Sequence, residues 1–139
     1  MSRKNDRKHA FCLVFQLGFG DEDVNEAMEY YLENFAEEKA SEPDFILGEA
    51  AGVYANLAEI DALIAETSTA WDISRISKVD LAIMRLAVYE LLYNPAIGEG
   101  VSINEAVELA KAFSAEDSGK FVNGVLGQIA RKLKAEGHT

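Results

Sequence analysis

Residues 78–93 read Lys-Val-Asp-Leu-Ala-Ile-Met-Arg-Leu-Ala-Val-Tyr-Glu-Leu-Leu-Tyr, and a helix drawn through them is apolar nearly all round. Val79, Leu81, Ile83, Met84, Leu86, Val88, Leu91 and Leu92 leave no wide polar face for water. A helix of that composition belongs at the centre of a fold, wrapped by others. Ser77, followed by Asp80, has the form of a capping box at its start. Arg85 and Glu90 are the charged exceptions further along. A buried charge needs a partner, and these two are candidates for each other.

The rest of the chain supplies the wrapping. Helical spacing recurs from end to end and strand signals are almost absent, so the expected class is all-α: a compact single-domain bundle of about seven helices spanning residues 1–139. A first helix runs from about Asn5 to Leu17, with Ala10, Phe11, Val14 and Leu17 on one face, and ends at Gly18-Phe19-Gly20. A second, capped by Asp21 or Asp23, carries an apolar stripe from Val24 to Phe35. Pro43 opens a long third helix reaching about Glu66, with Phe45, Ile46, Val53, Tyr54, Leu57, Ile60 and Ile64 on its buried side. Beyond the central helix, Pro95, Gly98 and Gly100 mark a loop. Ser102 and Glu105 form a second capping box, and Ile103, Ala106, Val107, Ala110 and Phe113 line the buried face of the helix that follows. A polar loop over 114–119 leads to a last helix from about Lys120, with Phe121, Val122, Val125, Leu126, Ile129 and Leu133 on one arc. No internal repeat interrupts this pattern.

A chain of 139 residues, 49% of them hydrophobic, suits one domain with one core. No stretch approaches the roughly 20 apolar residues of a membrane span, and the N-terminus lacks the apolar core of a secretion signal. With a single cysteine, Cys12, these features point to the cytoplasm. The net charge of −11 argues against nucleic acid as a partner, but its distribution argues otherwise. Arg3, Lys4, Arg7 and Lys8 crowd the beginning, and Arg131, Lys132 and Lys134 the end, whereas Lys39 is the only cation between Phe11 and Ser74. A strand of RNA can meet a basic end while the acidic middle repels it or meets a basic protein. Such charge runs also serve as ordinary solvated faces.

Motifs for catalysis or metals fail when tested. Asp21, Asp23 and Asn25 start like a calcium loop, but Glu26 replaces the required glycine and Leu32 the closing glutamate. Ser118-Gly119-Lys120 lacks the upstream glycine of a phosphate loop, and Phe121 stands where a hydroxyl must meet magnesium. His9 and His138 lie at opposite ends and, with one cysteine, form no zinc set. The expectation is therefore no enzyme, no metal and no cofactor.

Several segments, taken in order, carry a resemblance. They are Arg7-Lys8-His9-Ala10 leading to Phe15-Gln16, then Trp71-Asp72-Ile73-Ser74-Arg75-Ile76, then residues 80–91. Ser102-Ile103-Asn104-Glu105-Ala106-Val107-Glu108-Leu109-Ala110-Lys111 and Phe121-Val122-Asn123-Gly124-Val125-Leu126 complete the series. Over nearly the whole chain this resembles the NusB family of bacterial transcription antitermination and ribosomal-RNA processing factors.

The resemblance implies an RNA-binding adaptor. Members of the family bind the boxA element of ribosomal-RNA leaders together with NusE, a small-subunit ribosomal protein, and act within the RNA polymerase antitermination complex. It maps RNA contacts onto the basic start, Arg3, Lys4, Arg7 and Lys8, expected as a mobile arm that displaces counterions from phosphates. It also maps them onto the loop before the last helix, with Asp117, Lys120 and Phe121. There Lys120 suits a phosphate and Phe121 a stacked base, while the alternative makes Ser118 an N-cap and Phe121 plain core. The NusE surface falls near Phe15, Asp80 and Glu90. Homodimers that hide the RNA surface also occur in the family. Two other classes stay open: a protein-interaction bundle with little RNA binding, and a NusB-like domain of the kind linked to ribosomal-RNA cytosine methyltransferases.

Overall fold

A computed structural model describes residues 3–18, 43–68 and 73–137, together with the isolated positions Glu26, Glu29, Tyr30 and Glu33. Among the described residues there are six α-helices, two short 3-10 turns and no strand. Most of the expected second helix, and Trp71, lie outside the described residues.

Helix α1 (Arg3–Leu17) buries Ala10, Phe11, Leu13, Val14 and Leu17, the i, i+3, i+4, i+7 pattern of one helical face. It stops at Gly18, whose N–H is shared between the carbonyls of Val14 and Phe15 at 3.0 and 3.1 Å. The expected mobile arm is therefore corrected: from Arg3 onward the basic segment is helix.

The long third helix is two. Helix α2 (Pro43–Ala55) and helix α3 (Leu57–Thr67) meet at Asn56, which has left helical geometry at φ −122°, ψ 24°. Its side-chain amide donates to the Gly52 carbonyl at 2.9 Å, and that carbonyl also accepts the Asn56 N–H at 3.2 Å, which is shared with the Val53 carbonyl. Both pieces still present apolar residues inward: Ile46 and Val53 from α2, Ile60 and Ile64 from α3. The Tyr54 hydroxyl fastens α2 to α1 through the Val14 carbonyl at 2.9 Å.

Helix α4 (Lys78–Tyr93) takes the central place its composition demands. It packs against α1, α2 and α3 and against the two helices that follow, α5 (Glu99–Phe113) and α6 (Ser118–Ala135). Leu81, Ile83, Met84, Leu86 and Val88 are buried around it. Each such side chain contributes about 1.5–3 kcal/mol of burial. Gly52 of α2 lies against Tyr89 so closely that an added Cβ would sit 2.2 Å from the ring. Ser77 caps α4 by accepting the Asp80 N–H at 3.1 Å.

Two helix starts differ from expectation. Helix α5 opens at Glu99, after a 3-10 turn (Pro95–Ile97) and Gly98 at φ 97°, a conformation that favours glycine. Ser102 is thus not a cap but an interior residue, 2% exposed. Helix α6 starts at Ser118 rather than near Lys120. Among the described residues no helix is long and apolar enough to cross a membrane.

Candidate nucleic-acid interface

The basic start of α1 divides by helix phase. Lys4 and Lys8, one turn apart, are both exposed. Arg7 turns inward and is 4% exposed. Its Nε donates to Glu90 Oε2 of α4 at 3.1 Å, and its guanidinium carbon lies 6.0 Å from the centre of the Phe45 ring. Glu90, 1% exposed, also accepts the Ser102 hydroxyl at 2.8 Å. Two site expectations change here. Arg7 and Glu90 are buried and hold α1, α4 and α5 together, leaving little of either to a partner: Arg7 reaches only the lining of the groove between α1 and α5. The expected Arg85–Glu90 pair is also replaced. Five residues turn a helix by about 140° beyond a full circle, so the two point to different neighbours. Arg85 makes two parallel bonds to Asp61 of α3, both 2.8 Å.

Glu49 of α2 completes the buried cluster. Burial, then its hydrogen bond to Glu90 and the charge of that carboxylate, push its pKa up to about 9; Asn94 and Arg7 oppose this only in part. Burial beside the Glu90 carboxylate thus favours the protonated form of Glu49. Among the described residues, Arg7 Nη2 and Glu49 Oε1 are buried without a hydrogen-bond partner.

The turn between α5 and α6 is fixed from below. Asp80, 8% exposed, accepts the Ser114 hydroxyl at 2.6 Å and the Ser118 hydroxyl at 3.0 Å. The two serines are 2.9 Å apart. Ser118 is thus committed to Asp80 and is not the N-cap. That position falls to Asp117, which makes no side-chain capping bond. Asp80 is a brace for the turn and offers a partner little surface. Above it lies a groove of about 420 Å³ that brings Asp117 and Phe121 together with Arg75 and Ile76. Lys120 is exposed but is not part of its lining. Phe121 is half-buried against the core, so its ring serves both packing and the groove wall. Phe15 is half-buried on α1, its ring 6.4 Å from that of Phe11.

A second groove, about 430 Å³, opens on the other side of the same turn, between the start of α1 and the end of α5. Lys4 and Lys8 form one wall, Glu105 and Glu108 the other, and Phe113 closes one end. The expectation for Phe113 was core, yet it is 44% exposed. The missed signal was its place as the last residue of α5, where an amphipathic face runs out. At the far end of the chain, Lys132 pairs with Glu66 and Lys134 with Glu99, so those two C-terminal cations already have local partners.

The NusB family model matches residues 4–131. The chain belongs to the NusB family. A transcription antitermination protein NusB from Acetivibrio thermocellus is 43% identical over 135 residues, covering 94% of this chain and 90% of the relative. The structure of T. maritima NusB superposes with a TM-score of 0.83 at 37% identity, covering 98% of both chains. A chain from a crystal structure of the antitermination factors NusB and NusE in complex with double-stranded RNA superposes with a TM-score of 0.82 at 26% identity, over 94% of this chain and 96% of that one. The NusB fold is thus shared across the described helices.

Proposed function

We propose that this chain is an RNA-binding transcription antitermination factor that binds boxA RNA of ribosomal-RNA leaders together with NusE. It acts in the cytoplasm within the RNA polymerase antitermination complex and catalyses no reaction. Membership of the NusB family supports this reading, as does the likeness to a chain from a complex containing NusB, NusE and RNA. The geometric observation that carries it is the exposure of Lys4 and Lys8 near the end of α5, followed by Asp117 in the α5–α6 turn and Lys120 and Phe121 in the first turn of α6. Cations, an aromatic ring and a carboxylate on one surface are what phosphate contact, base stacking and edge reading require. Arg3 opens the same helix and joins this set. Phe15 is the α1 residue for NusE, and Asp80 acts indirectly by holding the turn.

The relative from A. thermocellus carries the antitermination name over nine tenths of its length, which favours this reading over a methyltransferase-linked domain or a bundle without RNA. Self-association is proposed only as a competitor for the same surface. The test is fluorescence anisotropy with a boxA-like single-stranded RNA and a scrambled one, with and without NusE. Selective binding strengthened by NusE is expected. Equal, weak binding to both RNAs, indifferent to NusE, would remove the antitermination reading.

A further inference from the structure

We infer that Ser102 is a positioning residue for the RNA-binding edge: by holding one oxygen of Glu90, it keeps Arg7 from closing a two-bond fork on that carboxylate, and so sets the rotation of α1 that presents Lys4 and Lys8. This rests on the RNA-binding reading and adds to it a residue that is itself buried and touches no RNA.

Arg7 and Arg85 meet their carboxylates differently. Arg85 places Nε and Nη2 on separate oxygens of Asp61, both at 2.8 Å. That is the side-on fork that a guanidinium and a carboxylate favour. Arg7 meets Glu90 with Nε alone, at 3.1 Å, and its Nη2 is buried without a hydrogen-bond partner. The oxygen that Nη2 would take, Glu90 Oε1, instead accepts the Ser102 hydroxyl at 2.8 Å. An unpaired buried donor costs free energy, so the half-open fork persists only because the carboxylate is held. Glu49 of α2 also bonds Glu90, and Ser102 is the contact that brings α5 into the arrangement.

The consequence lies at the surface. Helix α1 packs on α2 and α4, and α5 packs on α4 and α6, so the setting of α1 against α5 passes through α4. Glu90 of α4 is bonded to both, to Arg7 on one oxygen and to Ser102 on the other. Without the Ser102 hydroxyl, Oε1 is free to turn to Arg7 Nη2 and complete the fork. That closure draws Arg7 toward α4 and turns α1 about its axis. Lys8 is the next residue and Lys4 lies one turn earlier, so both ammonium groups swing with it. Lys8 Nζ lies 5.7 Å from the centre of the Phe113 ring, and Phe113 belongs to α5. The spacing of Lys8 and Phe113 is therefore a gauge of α1 rotation that needs no RNA.

The experiment compares the unaltered protein with Ser102→Ala and Ser102→Thr. It reads the NMR shift of the Lys8 side-chain methylenes, which the Phe113 ring perturbs, and the affinity for boxA-like RNA with NusE present. Ser102 borders a cavity of about 100 Å³, which gives the added methyl of threonine room. Ser102→Ala should move the Lys8 signal in the RNA-free protein, weaken RNA binding about 2- to 30-fold and flatten its salt slope, and Ser102→Thr should restore all three. An unmoved Lys8 signal in Ser102→Ala, with affinity within twofold, overturns the role of Ser102 and leaves the RNA reading standing. A moved signal with unchanged affinity overturns it too, since rotation of α1 is then without effect on RNA. So does weakened binding with an unmoved signal that threonine fails to restore. If the unaltered protein binds no RNA, the RNA reading and this role fall together. Should Ser102→Ala not fold, Ser102→Cys, close in size and a far weaker donor, takes its place under the same criteria.

Discussion

Arg7 and Lys8 are adjacent cations on α1, and they sit in different media. Lys8 is in solvent at the edge of a groove, its ammonium lightly held by an aromatic face. Arg7 is enclosed, fixed to a carboxylate that also accepts from Ser102 and lies beside Glu49. A step of about 100° around a helix separates a residue that can release counterions from one that anchors three helices. A basic run counted by composition therefore overstates the charge available to RNA. On the proposed reading, the charge open to RNA is the exposed edge, Lys4 and Lys8 on α1, together with exposed cations from elsewhere such as Lys120.

The largest effect should separate the two residues by stability. Arg7→Ala leaves Glu90 buried without its counter-ion and should cost about 3–5 kcal/mol, whereas Lys8→Ala should stay within about 0.5 kcal/mol. Chemical denaturation of both variants checks this, and equal costs would mean Arg7 is not enclosed as described.

Glu49 gives the next effect, with a sign that depends on pH. Its folded pKa, about 9, lies above its unfolded value near 4.5. Its contribution is fully present below about pH 4.5 and is lost as pH rises toward 9, by up to about 1.4 kcal/mol per pH unit. Glu49→Gln keeps the shape and the donor but cannot ionise. It should be more stable than the unaltered protein at pH 8, on the order of 2–4 kcal/mol, with the two converging toward pH 4.5. Parallel stability curves for the two across this range would show that Glu49 is not the buried acid.

Asp80 lies between the two media, a buried carboxylate bracing a surface turn. Asp80→Ala strands the Ser114 and Ser118 hydroxyls and should cost about 1–3 kcal/mol. It should also weaken RNA binding by loosening the groove that holds Asp117 and Phe121. Full RNA affinity in a destabilised Asp80→Ala protein would uncouple the turn from recognition.

The central helix was legible because no amphipathic alternative exists for residues 78–93, and its observed limits match those expected. The cap at Ser77 was legible for the same local reason. The division at Asn56 was not, since asparagine is tolerated inside helices and the departure lies in its own backbone angles. Ser102 and Glu105 had the letters of a capping box, but Gly98 and the 3-10 turn before it start α5 one turn earlier and free Ser102 for Glu90. In the candidate site, family resemblance pointed to the cationic start, Asp117 and Phe121, and the structure leaves Lys4 and Lys8 exposed and lines one groove with Asp117 and Phe121. The inward turn of Arg7 and the exposure of Phe113 depend on how α1, α4 and α5 pack, which no local pattern specifies.

The most direct measurement is the salt dependence of boxA-like RNA binding for the unaltered protein and for Lys4→Ala combined with Lys8→Ala. Two lost phosphate contacts to a single strand should flatten the slope of log affinity against log salt by about 1.4, with helicity and melting unchanged. An unaltered slope in a well-folded variant would contradict the assignment of the exposed edge of α1 as the surface that meets RNA.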